Sequence, residues 1–65
     1  MEEVKNIMVF ELNIETVNNA FGESNIEKAE EIKRILKRII KDLDRDDIGQ
    51  CRDINGNLVG SWVLS

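Results

Sequence analysis

Apolar and other residues alternate near the start of the chain, in the segment VKNIMVFELNI. One face of this segment would carry Met8, Phe10, Leu12 and Ile14, and the other Lys5, Ile7, Val9, Glu11 and Asn13. A period of two predicts a β-strand, and the residue types suit one. Because apolar residues lie on both faces, we expect both faces of this strand to need a cover.

A helical period follows. The segment ETVNNAFGES interrupts the alternation and predicts a connection. Ser24 with Glu27 three residues later is a capping-box motif, so a helix should begin here and run over residues 25–43. Its predicted apolar face is Ala29, Ile32, Leu36, Ile39, Ile40 and Leu43, with Ile26 and Ile35 at the margins.

Charges along this helix are ordered, with acids in the first turns and bases in the later ones, which complements the helix dipole. Glu30 and Arg34 are spaced to form an i,i+4 pair. Residues 33–41 hold five basic side chains and no acid; since the net charge is −4, the rest of the chain carries −9.

The C-terminal third predicts a β-hairpin. The strands QCRDI and NLVGSWVL flank Asn55-Gly56, a pair that favours a two-residue type I′ turn. Ile54 would then pair with Asn57, and Arg52 with Val59. On the returning strand one face would carry Leu58, Gly60, Trp62 and Leu64, and the other Val59, Ser61 and Val63. Gly60 indicates close approach of another element, such as the helix or a second protomer.

The predicted architecture is a single α+β domain over residues 1–65, with the order β-α-β-β and one amphipathic helix packed on a three-stranded sheet. The first strand should pair antiparallel with the last, giving the order 1-3-2 and a right-handed helical crossover. The helix can cover one sheet face only. The other face, with either Ile7 and Val9 or Met8 and Phe10, would be bare, so we expect a homodimer or higher oligomer built there or on a strand edge.

Composition narrows the function. A chain of 65 residues gives a marginal core, and one cysteine with no histidine provides neither an internal disulfide nor a zinc site. The acidic start is unlike a secretion signal, and no apolar run approaches the roughly 20 residues of a membrane span. We therefore expect a cytoplasmic protein without a membrane interaction. The net charge of −4 argues against general nucleic-acid binding.

Catalysis is not expected, and neither is a cofactor or a metal. Without histidine, Cys51 has only Arg52 beside it as an activator. The run DLDRDD resembles the start of a calcium loop, but Asp53 stands where the bidentate glutamate belongs and Asp47 where the glycine belongs. The structural alternative is that these aspartates are solvated residues of the polar segment that follows the helix.

Three groups of residues are candidates for binding, each with a structural alternative. The basic helix side (Arg34, Lys37, Arg38, Lys41, Arg45) could meet phosphates or simply be solvated. Asn18, Asn19 and Phe21 precede the helix N-terminus, where anions bind, although Phe21 also suits a core. Arg52, Asp53 and Trp62 could hold a phosphate and stack on a base, or Trp62 could be core.

Three of these pieces together resemble a family of very small phage and prophage accessory proteins. The pieces are Asn19-Ala20-Phe21, the helical segment from Arg34 to Ile39, and R-D-x-N-G-N-x-V-G-x-W from Arg52 to Trp62. Gly22-Glu23-Ser24 departs from the acidic or Asn-Pro-type cap expected in the family, but it still provides an N-cap for the helix.

The resemblance implies a non-enzymatic phage accessory protein. Such a protein could counter host defence by binding and sequestering a small anionic, nucleotide-derived immune signal in a homo-oligomer, with Arg34, Arg38 and Arg52 as countercharge. The alternatives are a protein-binding inhibitor of a host or CRISPR factor, in which a sheet edge adds a strand to the partner, and a structural or regulatory phage component.

Overall fold

The computed structural model describes residues 9–65, so the predictions for Lys5, Ile7 and Met8 lie outside the described residues. The elements are strand β1 (Phe10–Ile14), a short 3₁₀ turn (Asn19–Phe21), helix α1 (Asn25–Asp42), strand β2 (Ile48–Arg52) and strand β3 (Leu58–Leu64). The predicted α+β fold with the order β-α-β-β is confirmed. The 3₁₀ turn lies inside the predicted connection.

The three strands form one antiparallel sheet in the order β1-β3-β2, as predicted. In the β1–β3 ladder, Phe10 lies opposite Leu64 and Ile14 opposite Gly60. Strand β2 also runs antiparallel to β3. Because β1 and β2 are both antiparallel to β3, they are parallel to each other, and α1 connects them across the sheet.

The predicted capping box fixes the start of α1. The Ser24 hydroxyl accepts a hydrogen bond from the Glu27 amide at 3.1 Å, and Glu27 Oε1 accepts one from the Ser24 amide at 3.1 Å. Backbone N–H groups of Glu23 and Ser24 hold the pKa of Glu27 below its ordinary value. The helix ends at Asp42 with Leu43 as its C-cap, within one residue of the predicted end.

The core lies between α1 and the sheet face that carries Leu12 and Ile14. Its buried residues are Phe21, Ile35, Ile39, Cys51, Val59 and Trp62. Leu12 and Ile14 pack against this cluster, so Val9, Glu11 and Asn13 lie on the outer face of the sheet, away from α1. This settles which of the two strand faces the helix covers.

The predicted apolar face of α1 is confirmed at Ile32 and Ile39, which lie at the core, but its centre is displaced. Ile35, placed at the margin, is a core residue with 3% of its surface exposed, whereas Leu36 is 37% exposed and Ile40 66% exposed. The buried helix positions are Glu31, Ile35 and Ile39, which follow one another at intervals of four. Successive helix residues are about 100° apart, so the buried face is rotated by roughly one residue from the predicted one.

The predicted two-residue turn at Asn55-Gly56 is also wrong. The Gly56 amide donates to the Asp53 carbonyl at 2.9 Å and the Asp53 amide donates to the Asn57 carbonyl at 2.9 Å, which defines a three-residue loop over residues 54–56. Gly56 has a left-handed φ of +88°, as the last residue of a three-residue hairpin loop requires. The Asp53 carboxylate favours this loop because its Oδ1 accepts the Asn55 and Asn57 amides, each at 2.9 Å.

The longer loop changes the pairing of the hairpin. Arg52 pairs with Leu58 rather than with Val59, and the register shifts between Cys51 and Arg52. Val59 is consequently an extra residue in β3, and it is buried together with Trp62 instead of lying on the opposite face.

Gly60 confirms a close approach but not by the predicted element. A Cβ at this position would lie 2.9 Å from the Asn13 carbonyl carbon and 3.0 Å from Ile14 Cα. The approaching element is therefore the backbone of β1, neither the helix nor a second protomer.

Candidate functional site

A groove of about 360 Å³ runs between α1 and the edge strand β2. Its polar lining is Arg34, Arg38, Asp42, Gln50, Arg52 and Asp53, and its apolar lining is Ile35, Ile39 and Cys51. Four predicted site residues, Arg34, Arg38, Arg52 and Asp53, are thus brought together although they come from two different parts of the chain.

The phase of α1 explains why arginines line this groove. Because Ile35 and Ile39 point into the core, Arg34 and Arg38, each one residue earlier, lie on the flank of the helix about 100° away. That flank faces β2 and the hairpin. The basic helix side is therefore not opposite the buried face, as predicted, but borders the hairpin at these two positions.

Arg34 is tied into the structure by Glu31. Arg34 Nε and Nη2 donate to the two Glu31 carboxylate oxygens at 2.9 and 3.0 Å, and Nη2 also donates to the Arg52 carbonyl at 2.9 Å. Glu31 Oε2 accepts the Ile54 amide at 2.8 Å. We call Glu31 and Arg34, with these two hairpin backbone groups, the helix–hairpin clasp.

The carboxylate of Glu31 is buried, with 7% of the residue exposed. The side-chain hydrogen bond from Arg34 lowers its pKa most; burial opposes this, and the bond from the Ile54 amide adds to the lowering. Glu31 therefore stays ionised in the interior and fixes the position of the Arg34 guanidinium.

Sequence reasoning missed the clasp. The predicted pair between Glu30 and Arg34 is wrong, because Glu30 pairs with Lys33 at 3.4 Å instead. A signal was present nonetheless, since Glu31 precedes Ile35 and Ile39 at intervals of four and lies three residues before Arg34. An acid on the buried side of a helix needs a partner.

Arg38 and Arg52 are held more loosely than Arg34. Arg38 Nε donates to Asp42 Oδ1 at 3.2 Å while 74% of its side chain is exposed, and exposed pairs of this kind contribute little. Arg52 donates to the Gly56 carbonyl at 3.1 Å and to Gln50 Oε1 at 3.2 Å. Within residues 9–65, no carboxylate forms an ion pair with Arg52. Both guanidinium groups can therefore turn towards an anion.

Asp53 is explained by the fold. With 3% of the residue exposed, its Oδ2 accepts the side-chain amides of Asn18 at 3.1 Å and Asn57 at 3.2 Å, in addition to the two loop amides on Oδ1. Burial raises the pKa of Asp53, but the hydrogen bonds from Asn57, Asn18 and Asn55 outweigh it and the pKa is lowered. Its role is to hold the hairpin loop and the segment before the 3₁₀ turn together.

Of the two alternatives for Phe21 and Trp62, a core position or a contact with a ligand, the structure supports the core position. Phe21 is fully buried and Trp62 is 1% exposed, so both are core residues. Trp62 lies on the core face of the sheet, whereas Arg52 follows core-facing Cys51 and lies on the other face. The suggested stacking of a base on Trp62 beside Arg52 is therefore not possible in this fold.

Asn18 and Asn19 do not join the groove as ligand contacts. Asn18 is used by Asp53, and Asn19 lies in the 3₁₀ turn beside a separate shallow depression near Glu27 and Glu30. The N-terminus of α1 is occupied by its capping box.

Residues 9–65 contain neither a candidate metal centre nor a membrane-spanning helix. No group of three or more potential metal ligands occurs in residues 9–65. In the same part of the chain, no helix has the length and apolar character needed to cross a bilayer.

Comparisons with known proteins leave the groove as the main guide to function. No family model, curated protein or solved structure matches this chain.

Proposed function

We propose that the chain is a non-catalytic binding protein whose groove between α1 and β2 holds a small phosphate-bearing molecule of the nucleotide class. The observation that carries this proposal is that three arginines, Arg34, Arg38 and Arg52, line one groove, two from α1 and one from the end of β2. Guanidinium groups bind phosphate oxygens through paired, charge-assisted hydrogen bonds.

The three arginines support different parts of such a site. Arg34 is fixed by Glu31 and forms a rigid wall, whereas Arg38 and Arg52 are free to exchange weak partners for a phosphate. An anion would draw Arg38 from Asp42, and it would meet no carboxylate competing for Arg52 among residues 9–65.

The size of the groove is compatible with this ligand class. Its volume of about 360 Å³ lies at the lower end of the range of small-molecule sites, roughly 300–1,000 Å³. The resemblance to small phage accessory proteins supplies the biological role that we propose: the protein keeps a nucleotide-derived signal of host immunity away from its receptor.

Titration calorimetry at low salt tests the proposal, with mono-, di- and cyclic nucleotides and inorganic phosphate as probes. We expect one class of nucleotide to bind, and Arg38→Gln and Arg52→Gln each to weaken binding by about tenfold or more, since a hydrogen bond to a charged group contributes about 1.5–3 kcal/mol. Arg45→Gln is the matched control, because it removes a cation that does not line the groove.

Two outcomes contradict the proposal. If none of the probes binds, the groove is not a nucleotide site. If Arg45→Gln weakens binding as much as Arg38→Gln does, the attraction is a general effect of charge rather than a site.

A protein partner is the second candidate, favoured by the edge position of β2 in the described sheet. Ile48 on this strand is 68% exposed, and an extended segment of a partner could pair with the outer edge of β2. A stoichiometric host protein that is retained by the Arg38→Gln variant but lost by Ile48→Asp would favour this function over nucleotide binding.

A further inference from the structure

A second apolar row runs along α1 on the side away from the groove. Its members are Ile26, Ala29, Leu36, Ile40 and Leu43, with Lys33 in the middle. Ile26 is 78% exposed, Ile40 66%, and Leu36 and Leu43 just under 40%. We call this set the outer ridge of α1.

The spacing of the outer ridge is that of a helix–helix seam. Positions 26, 33 and 40 and positions 29, 36 and 43 each repeat every seven residues, as the a and d positions of a coiled coil do. The row that faces the core is a different one, with Glu31, Ile35 and Ile39. The ridge is thus a mainly apolar surface, interrupted at Lys33, whose Ile26 and Ile40 are largely exposed and whose Leu36 and Leu43 are partly exposed among residues 9–65.

We propose that the outer ridge binds the same ridge of a second copy, with the two helices antiparallel. In this register the residue numbers of two facing positions add up to 69. Ile26 then meets the partner's Leu43, Ala29 meets the partner's Ile40, and Lys33 meets the partner's Leu36.

Charge complementarity favours this occupant and this direction. In the first half of α1, Glu27 is held in the capping box and Glu31 in the clasp, so Glu30 is the acid beside the ridge. Residues 33–41 carry five bases and no acid, and antiparallel copies place Glu30 against this basic half. Beside the seam, Glu30 comes next to the partner's Lys37, and two-fold symmetry forms this contact twice. Parallel copies would align like charges instead.

The outer face of the sheet, where an oligomer was expected, is a poorer surface for a second copy. Its exposed apolar residues Val9, Ile48 and Leu58 are interspersed with Glu11, Asn13 and Gln50, whereas the row on the helix is interrupted by one polar residue, Lys33. The ridge interface also leaves the groove open, because the two lie on different flanks of α1, so the proposal does not depend on nucleotide binding.

Sedimentation equilibrium over a concentration series, without ligand, tests the proposal through charge reversal. We expect a dimer for the natural chain. Glu30→Lys or Lys37→Glu alone should raise the dissociation constant of the dimer about tenfold, because each creates two like-charge contacts. The double variant E30K/K37E re-forms two opposite-charge contacts and should restore the dimer to within about threefold. If the double variant instead weakens the dimer by the sum of the two single effects, the antiparallel register is overturned.

A pair of apolar-to-acid variants separates the ridge from the sheet face. Ile40→Glu should give a monomer at all concentrations, while Ile48→Glu, an equally exposed change on the outer sheet face, should leave the dimer intact. Circular dichroism checks that both remain folded. The reverse pattern, or a natural chain that is monomeric at millimolar concentration, would overturn the proposal.

Discussion

Replacing Glu31 by alanine tests whether the helix–hairpin clasp stabilises the fold. The substitution removes the acceptor of two hydrogen bonds from Arg34 and one from the Ile54 amide, at distances of 2.8 to 3.0 Å. It leaves the Arg34 guanidinium without its counterion and the Ile54 amide without its acceptor. Nothing in the clasp can move in to replace the carboxylate, since the remaining members are a cation, an N–H group and a carbonyl already in use.

The size of the effect follows from burial. Breaking a fully buried ion pair costs about 3–5 kcal/mol, but the Arg34 side chain is 41% exposed and keeps part of its hydration. The orphaned backbone amide adds about 1 kcal/mol. We therefore expect the free energy of unfolding to fall by about 2–3 kcal/mol, which for a domain of this size lowers Tm by roughly 10–20 °C.

Urea unfolding followed by the fluorescence of the single tryptophan measures this change, because Trp62 is buried in the folded protein. Glu30→Ala is the control, measured at a protein concentration at which the chain is monomeric. Within the chain its side chain is 70% exposed and pairs with Lys33, so the loss should stay below about 0.5 kcal/mol. A double-mutant cycle with Glu31→Gln and Arg34→Gln should give a coupling of about 1–2 kcal/mol. Equal losses for Glu31→Ala and Glu30→Ala would refute the clasp as a stabilising contact.

Three more expectations follow from buried groups. Since the pKa values of Glu31 and Asp53 in the folded protein lie below the ordinary 4.5 and 3.8, stability should be constant above about pH 5 and fall as acid protonates them; urea midpoints from pH 7 to pH 3 check this, and Glu31→Gln should flatten the fall. Gly49→Ala would place a Cβ 2.7 Å from Trp62 Cε2 and should cost about 1–3 kcal/mol with a shifted tryptophan emission; unchanged stability would contradict the packing. Cys51 is 2% exposed and burial raises its pKa, so Ellman's reagent should label it only after unfolding, and rapid labelling of the native protein would contradict its burial.

Local patterns were sufficient for the elements and their order. The alternation around Leu12, the capping box at Ser24 and the glycine-containing turn before β3 each depend on neighbouring residues. Once the elements are known, few arrangements of one helix and three strands satisfy short connections, and the central position of β3 follows. For this reason the order β1-β3-β2 could be predicted without tertiary information.

The phase of α1 could not be predicted in the same way. Apolar residues occupy two rows of the helix, one through Ile35 and Ile39 and the other through Leu36 and Ile40, so periodicity alone does not say which row is buried. The buried row is the one that packs Ile35 and Ile39 in the core and brings Glu31 to a backbone amide 23 residues away in the hairpin. The turn predicted for the hairpin is wrong because a side chain outside the two turn residues, the Asp53 carboxylate, favours the three-residue loop. This loop shifts the register between β2 and β3, and the shift buries Val59.

The same shift of phase determines what the basic residues of the helix are able to do. Had the predicted face been buried, Arg34 and Arg38 would project into solvent, opposite the core and away from Arg52. With Ile35 and Ile39 buried instead, Arg34 and Arg38 border the hairpin. Glu31 keeps the Arg34 guanidinium in place, while Arg38 and Arg52 have only exposed hydrogen-bond partners. The buried glutamate thus connects stability to the proposed site: Glu31→Gln should loosen Arg34 and weaken nucleotide binding even at temperatures where the protein is fully folded.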